Sequence, residues 1–401
     1  MAPGVWDAVV VGGGIVGLAS AKRLCEDHGL KVAVLEAEGA VAAHQTGNNS
    51  GVVHSGLYYR PGSLKARNCT EGRLALEAYC ADRGIPYERC GKVVVATQED
   101  QIPSLENLER RGRENGLDGI RRIGPTEIRE LEPEAAGIDG LHVPQTGIVD
   151  FVAVADHFAT DVRSAGGEVL TGHHVSGIRR REGVIEVATD SGTVQAAALV
   201  NCAGLQSDRV ARMAGLTPKV RIVPFRGEYY VLREDRRHLV KNLVYPVPDV
   251  RFPFLGVHFT RRVNGEVEAG PNAVLAFKRE GYSRTAFSLK DTLDTLTYPG
   301  FWTLGLRFLK TGLAEQWRSL SKSAFVRSLQ ELIPAIRPED VRPGGAGVRA
   351  QALGPDGKLV DDFVILRSER MVHVLNAPSP AATASLAIGR TVAKALSELL
   401  D

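Results

Sequence analysis

Apolar and polar positions alternate in blocks along this chain. "WDAVVV" (6–11) is a short β-rich apolar run, and "IVGLASAKRLCEDHG" (15–29) spaces its apolar residues as one face of a helix. "KVAVLEAE" (31–38) is again an apolar run that ends in charge. Strand, helix and buried strand in that order predict a βαβ unit with a parallel pair. "KVVVAT" (92–97) predicts a further strand, followed by a charged helix over about residues 100–116 and the Pro-bounded "GPTEIRELEPEA". "DFVAVADHFATDVRSAGG" then reads as helix and "EVLTGHHVSGIRRREGVIEVATDSGTVQAAALVNCAG" as a series of strands. A β-rich section with aromatic loops runs over about 218–285, and polar and aromatic helices continue to about 337. "RMVHVLNAPSPAATASLAIGRTVAKALSELL" closes the chain as a strand running into a helix.

The nucleotide-type elements thus fall into three blocks, with other material inserted between them. The expected architecture is α/β: a Rossmann-like domain from residues 1–90, 145–217 and 340–401, interleaved with a substrate domain of β-sheet plus helices from 91–144 and 218–339. No internal repeat or low-complexity tract separates independent modules. A chain of 401 residues that is 44% apolar has ample material for a core of that size.

Charge narrows the partner. The 49 basic and 47 acidic residues nearly cancel, so no global field points to nucleic acid, and a small ligand is expected. The five cysteines form no CxxC pair and have no metal-ligand spacing with histidine, which fits a reducing compartment and no metal site. The apolar N-terminal run has no basic region before it and no small-residue cleavage site after it, so no signal peptide is read. No stretch reaches the roughly 18 uninterrupted apolar residues of a spanning helix. A cytoplasmic protein is expected.

The strongest local motif is "VVVGGGIVGLA", in which Gly12, Gly14 and Gly17 follow a strand and open a helix, with Glu36 at the end of the next strand. Gly12 permits the tight turn, Gly14 lets backbone approach a pyrophosphate, and Gly17 lets helix and strand sit close. The helix N-terminus adds partial positive charge, and Glu36 would accept hydrogen bonds from ribose hydroxyls. The motif alone does not separate FAD from NAD. "LVNCAGLQSD" (199–208) closes a strand on Ala203 and Gly204, which would let the chain pass close to a bound cofactor. In "VLNAPSPAATASLAIG" (374–389) a strand ends in small residues and a helix is expected to start near Ser379 or Pro380. Such a helix start, with Pro378, Ser379, Ala382 and Thr383, would stabilise negative charge at one edge of a reduced flavin. A long, two-ended FAD would need all three blocks. A second nucleotide fingerprint is missing, so the electrons are expected to come from a small reduced substrate.

These residues resemble the FAD-dependent oxidoreductases of the D-amino-acid oxidase and glycerol-3-phosphate dehydrogenase superfamily. Within it, "HQTGNNSGVVHSGLYYRPGSLKARNC" (44–69), "PFRGEYY" (224–230), "PFLGVHFTRRVNGEVEAGPNAVLAFKREGY" (253–282) and "GVRAQA" (347–352) resemble the L-2-hydroxyglutarate dehydrogenases (oxidases), over nearly the whole chain. One departure is Asn48, where the family tract usually has histidine. The resemblance implies oxidation of L-2-hydroxyglutarate to 2-oxoglutarate by hydride transfer to flavin N5, with electrons passed to a quinone or oxygen. It also places Thr46, Asn49, Ser50, Gly51 and Val53 along the FAD.

The chemistry asks for a base and two clamps. A neutral histidine is suited to take the hydroxyl proton near pH 7, and His54 and His258 are the candidates. A dicarboxylate calls for arginine forks, for which Arg226 and Arg349 are the candidates. Tyr58, Tyr59, Asn272 and Lys278 are further candidate substrate contacts, although paired tyrosines are also common packing residues. A related flavoenzyme acting on glycerol 3-phosphate or an amino acid would share every FAD feature. A non-catalytic dinucleotide-binding protein would share the fingerprint.

"GFWTLGLRFLKTGLAEQWRSLSK" (300–322) carries four basic residues and one acid, with Phe301, Trp302, Leu306, Phe308, Leu309, Leu313 and Trp317 between them. That is the composition of an interfacial helix, through which a quinone reductase would contact the inner face of the cell membrane. It also suits an ordinary helical pair covering the substrate domain.

Overall fold

The computed structural model describes residues 4–249 and 255–400. The leading apolar run forms β1 (Trp6–Val11), the helical stretch forms α1 (Ile15–His28), and the second run forms β2 (Val32–Leu35). β1 lies between β2 and the strand Gly192–Asn201, parallel to both. All of β2 and the last four residues of β1 are buried, because helices or strands cover both faces of a parallel sheet. α1 ends at Gly29, whose left-handed φ of 66° caps the last turn.

Among the described residues this first sheet has eight strands, six on one path and Met371–Asn376 with Val364–Ser368 beside it. From one edge they run Val175–Arg181, Val184–Thr189, Gly192–Asn201, β1, β2 and Glu168–Leu170. Gly192–Asn201 is shared along its length. Its first half pairs with the antiparallel meander, and Leu199–Asn201 pairs in parallel with Met371–Asn376. α1, the helix Phe151–Ser164 and the C-terminal helix Ser385–Leu400 pack on one face, where Leu18, Phe158 and Leu396 are fully buried.

Among the described residues the second sheet has nine strands, in the order Val274–Leu275, Arg221–Leu232, Val267–Gly270, His258–Arg261, Leu243–Pro246, Lys92–Ala96, Asp139–Val143 and Arg121–Ile123, with Val341–Leu353 added to Arg221–Leu232. A third sheet, Val52–Val53, Gly147–Val149 and Tyr87–Glu88, lies between the two in sequence. The second sheet therefore draws on residues 92–143 and 221–353, and the first on what flanks them.

Two features differ from the sequence reading. Residues 341–353 were assigned to the nucleotide-binding blocks, yet they pair with Arg221–Leu232 along nearly their whole length. Gly344, Gly345 and Gly347 dilute the strand pattern there, and main-chain pairing to a distant strand decides the outcome. The last helix begins at Ser385, several residues after Ser379, because 379–384 form successive turns closed by Ala381 N–H to the Pro378 carbonyl and Ala384 N–H to the Pro380 carbonyl. Residues 253 and 254, which open one of the quoted motifs, lie outside the described residues.

Candidate active site

β1, β2, Gly192–Asn201 and Met371–Asn376 all end on the same side of the first sheet, where open α/β sheets bind ligands. A cavity of about 1090 Å³ opens there and runs to the second sheet. Its near wall includes Gly12, Gly14, Glu36, Thr46, Asn49, Ser50, Ala203 and Gly204. Further along lie Pro378, Ser379, Ala382 and Thr383, then His54, Tyr58, Tyr229, Tyr245, His258 and Arg349. Gly17, Gly51 and Val53 do not line it. Gly17 faces the turn behind, and Val53 belongs to the core under α1.

The near end fits the pyrophosphate and ribose of a dinucleotide. Gly12 sits at φ 111°, and a Cβ there would meet the Cys202 carbonyl oxygen at 2.5 Å. A Cβ on Gly17 would come within 2.0 Å of the Gly12 carbonyl oxygen, so two main chains touch where no side chain fits. A Cβ on Gly14 would meet only the Thr46 hydroxyl, at 3.4 Å, so its backbone is open to the cavity. α1 begins there with no side-chain cap and no acid in its first turn, which leaves the helix N-terminus to an anion. The Ile15 N–H donates to Thr46 Oγ1 (3.0 Å). Glu36 is 6% exposed, and its two oxygens accept from the N–H of Gly13 (2.7 Å) and of Glu38 (2.9 Å). Each keeps a lone pair for a hydroxyl.

The loop after β2 folds on its own amides. Asn49 donates to the Thr46 carbonyl (2.6 Å) and accepts from the Gly51 N–H (2.8 Å). Asn48 donates to the carbonyls of Ala43 (3.0 Å) and His44 (2.8 Å), so the residue that departs from the family tract closes the preceding turn. His54 then joins two segments distant in sequence. Its N–H donates to Thr383 Oγ1 (3.0 Å), and its Nε2 lies 3.2 Å from Ser379 Oγ.

Both candidate bases are neutral histidines. Burial, the positive charge of Lys92, then His258 and Lys65, push His54 down to about 3. Burial pushes His258 down to about 3 as well, helped by Arg349 and Lys92 and opposed by the Gly256 carbonyl. His258 Nδ1 lies 2.8 Å from that carbonyl, which can only accept, so Nδ1 carries the hydrogen and Nε2 keeps its lone pair. The ring stacks on Tyr245 with centroids 4.0 Å apart.

The structure divides the candidate substrate residues. Arg349 reaches the cavity, and its burial lowers its pKa. Tyr58 also lines the cavity, and its buried hydroxyl has no hydrogen-bond partner among the described residues. Arg226 does not reach it. On Arg221–Leu232 successive side chains alternate between faces, so Gly227 and Tyr229 look into the cavity and Arg226 points away. Its Nε (3.2 Å) and Nη2 (2.9 Å) donate to Glu228 Oε1, and Nη1 donates to the Ser283 carbonyl (2.9 Å). Asn272 serves the same cluster, accepting from the Glu228 N–H (2.8 Å) and donating to Glu228 Oε2 (3.2 Å). Lys278 and Tyr59 do not line the cavity either. The Tyr59 ring lies under the Lys65 ammonium, 5.1 Å from its centroid. Arg226→Ala should therefore cost about 1.5–3 kcal/mol of stability by removing charge-assisted hydrogen bonds to the buried Glu228, which keeps Arg284, Ser319 and Asn272 as partners. KM should stay near wild type. Urea unfolding beside steady-state kinetics checks both.

Three residues at this end escaped the sequence reading: Tyr229, Tyr245 and Lys92. Tyr229 lies in the quoted "PFRGEYY", at the opposite strand parity to Arg226. Lys92 is 1% exposed at the head of an otherwise apolar strand. An ionisable residue opening a buried run was the available signal.

Comparison with known proteins agrees with this geometry. The family model described as FAD dependent oxidoreductase matches residues 7–395. An L-2-hydroxyglutarate dehydrogenase from Indibacter alkaliphilus is 52% identical over 96% of this chain and 98% of its own length. The mitochondrial L-2-hydroxyglutarate dehydrogenase of Homo sapiens is 47% identical over 97% of this chain and 88% of its own. Among solved structures, a dithionite-reduced L-alpha-glycerophosphate oxidase from Mycoplasma pneumoniae, with FAD bound, superposes with a TM-score of 0.80 at 22% identity, covering 98% of this chain and 95% of that one. The chain belongs to the FAD-dependent oxidoreductase family, and FAD is its cofactor.

Proposed function

We propose that this protein oxidises the 2-hydroxyl of L-2-hydroxyglutarate to give 2-oxoglutarate. The observation that carries the reading is the far end of the cavity, where two neutral histidines, an arginine and an unpartnered tyrosine hydroxyl face a space continuous with the cofactor cradle. Full-length similarity to proteins named for that activity supports the choice of substrate.

Bound FAD supplies the acceptor for the electron pair and hydrogen leaving carbon 2. The protein's own groups do the rest. The Arg349 fork takes a carboxylate, and Tyr58 donates to the substrate from a buried position. His258 Nε2 accepts the hydroxyl proton, while its Nδ1–H stays on the Gly256 carbonyl and fixes the ring. A dicarboxylate nearby raises that histidine's proton affinity at the moment the proton is needed. His54 holds the turn at Ser379 and Thr383 against the cavity. Under argon, purified holoenzyme and L-2-hydroxyglutarate should yield one 2-oxoglutarate per flavin reduced. Glycerol 3-phosphate or an amino acid as the better donor would replace this reading.

The electron acceptor we propose is a quinone or oxygen. Contact with the inner face of the cell membrane is supported by the surface of residues 299–320. The sequence offers either an interfacial helix or an ordinary helical pair there. The structure has two helices, Pro299–Arg307 and Leu309–Leu320, meeting at Phe308. Trp302, Leu306, Leu309, Leu313, Trp317 and Leu320 are each more than half exposed, with Arg307 and Lys310 beside them. Such a surface suits a lipid interface. Among the described residues no helix is long and apolar enough to cross a membrane. The protein should float with anionic vesicles, more weakly in high salt, and Leu306→Asp with Leu313→Asp should abolish flotation. Equal flotation of wild type and variant would remove this surface from the account.

A further inference from the structure

Lys92 opens the strand Lys92–Ala96 and is 1% exposed. Its ammonium lies 4.4 Å from the ring centroid of Tyr58 and 4.9 Å from that of Tyr245, two rings whose other edges line the cavity. Among the described residues no carboxylate pairs with it and no acceptor stands within hydrogen-bond distance. A buried ammonium supported only by ring faces is costly, since cation–π contact replaces a small part of the lost hydration. The neighbouring charges make matters worse: Lys92 and Arg349 both act on His258, and Lys92 and Lys65 both act on His54. Lys65 has its own partner in Asp361 (3.0 Å), whereas Lys92 has no carboxylate partner among the described residues. Lys92 and Arg349 thus set two buried cations close to His258 at this end of the cavity.

We infer that Lys92 is a positioning residue whose ammonium, acting across the Tyr58 and Tyr245 rings, holds the anionic substrate in the cavity and makes its affinity depend on the protonation of this one side chain. The inference rests on the dicarboxylate reading above and supplies the second cation that Arg226 does not provide.

The groups around Lys92 allow the dependence to be assigned. The loop before helix Leu64–Arg83 presents His54, Tyr58 and Tyr59. That helix presents Lys65, Cys69 and Arg73, the last bonded to Glu77 (2.9 Å). Of the flanking strands, Leu243–Pro246 presents Tyr245 and Asp139–Val143 turns His142 to the other face of the sheet; His258 comes from the next strand, His258–Arg261, and Arg349 from Val341–Leu353. Burial pushes both tyrosines of the loop well above their usual range and Cys69 up to about 12, while the three histidines are lowered. Burial brings Lys92 itself down to about 7. An anion prefers the protonated lysine, so affinity is full below that value and falls as pH rises through it, by up to about tenfold per pH unit.

The test is a titration of oxidised holoenzyme with 2-oxoglutarate, followed by the change in flavin absorbance from pH 6.5 to pH 9. Wild-type Kd should rise across the series. Lys92→Met should bind roughly 10–30-fold more weakly at pH 6.5 and lose the pH dependence. Lys92→Arg should bind at pH 9 as wild type does at pH 6.5, because arginine stays charged. A Met variant with wild-type Kd at every pH, or a flat wild-type series, overturns the inference. Should the Met variant fail to fold, the Arg variant decides, since a rise parallel to wild type is equally fatal. If wild type neither binds 2-oxoglutarate nor is reduced by L-2-hydroxyglutarate, the substrate reading itself has failed and this inference falls with it. If wild type does both while the variants behave as wild type, only the role of Lys92 is lost.

Discussion

Arg349→Ala should raise KM for L-2-hydroxyglutarate by roughly 30–150-fold, the loss of about 2–3 kcal/mol of charge-assisted hydrogen bonding to a carboxylate. The flavin spectrum should be unchanged, because Arg349 enters the cavity from the second sheet, whereas the cofactor cradle is built by the first. Burial already disfavours the Arg349 charge, so the arriving carboxylate compensates a cost present in the free protein. Arg349→Lys should recover only part of the loss, since an ammonium keeps the charge but not the two-pronged geometry. His258 feels the positive charge of Arg349, so the alanine variant should also shift the acid limb of kcat/KM upward. Steady-state kinetics at pH 7 reads the KM of both variants, and a kcat/KM series carried below pH 5 reads the acid limb. A KM within twofold of wild type would take Arg349 out of the site.

Gly17→Ala is expected to yield a colourless or insoluble protein. The added methyl would sit 2.0 Å from the Gly12 carbonyl oxygen and 3.3 Å from Cys202 Cβ, so α1 must lift from the glycine turn proposed to cradle the pyrophosphate. Neither neighbour is the flexible end of a side chain. The expected cost is about 3 kcal/mol or more, at the high end for an overpacked core. Gly305→Ala is the matched control. Nothing lies within 4 Å of its added Cβ on helix Pro299–Arg307, so better helix propensity should stabilise it by up to about 1 kcal/mol. Flavin content per chain and thermal unfolding separate the two variants. A fully yellow Gly17→Ala protein with wild-type stability would contradict the packing argument.

What could be read from sequence was local. β1, α1 and β2 are specified by apolar runs and glycine spacing within a few dozen residues, and the structure places Gly12, Gly14 and Glu36 at one end of one cavity. What escaped depends on distant pairing. The strand Val341–Leu353 is defined by its partner Arg221–Leu232, over a hundred residues away, and its glycines hide it. Arg226 was chosen for residue type in a recognisable motif, whereas strand parity sends it to Glu228 and turns Tyr229 inward. His54 and His258 were equivalent in sequence. Only the hydrogen bond to the Gly256 carbonyl shows which nitrogen of His258 is free to accept a proton. Lys92 looked like the charged end of a strand, and its meaning appears only when Tyr58 and Tyr245 close over it.

The most direct measurement is anaerobic stopped-flow reduction of the oxidised holoenzyme, following the flavin absorbance after mixing with L-2-hydroxyglutarate, D-2-hydroxyglutarate, glycerol 3-phosphate or L-glutamate. Bleaching by L-2-hydroxyglutarate should be fast and complete, at a rate that falls at least about 100-fold in His258→Asn, the scale of lost general-base catalysis. The other three should give little or no bleaching. Faster bleaching by glycerol 3-phosphate or L-glutamate, or a wild-type rate in His258→Asn, would contradict the proposed reaction.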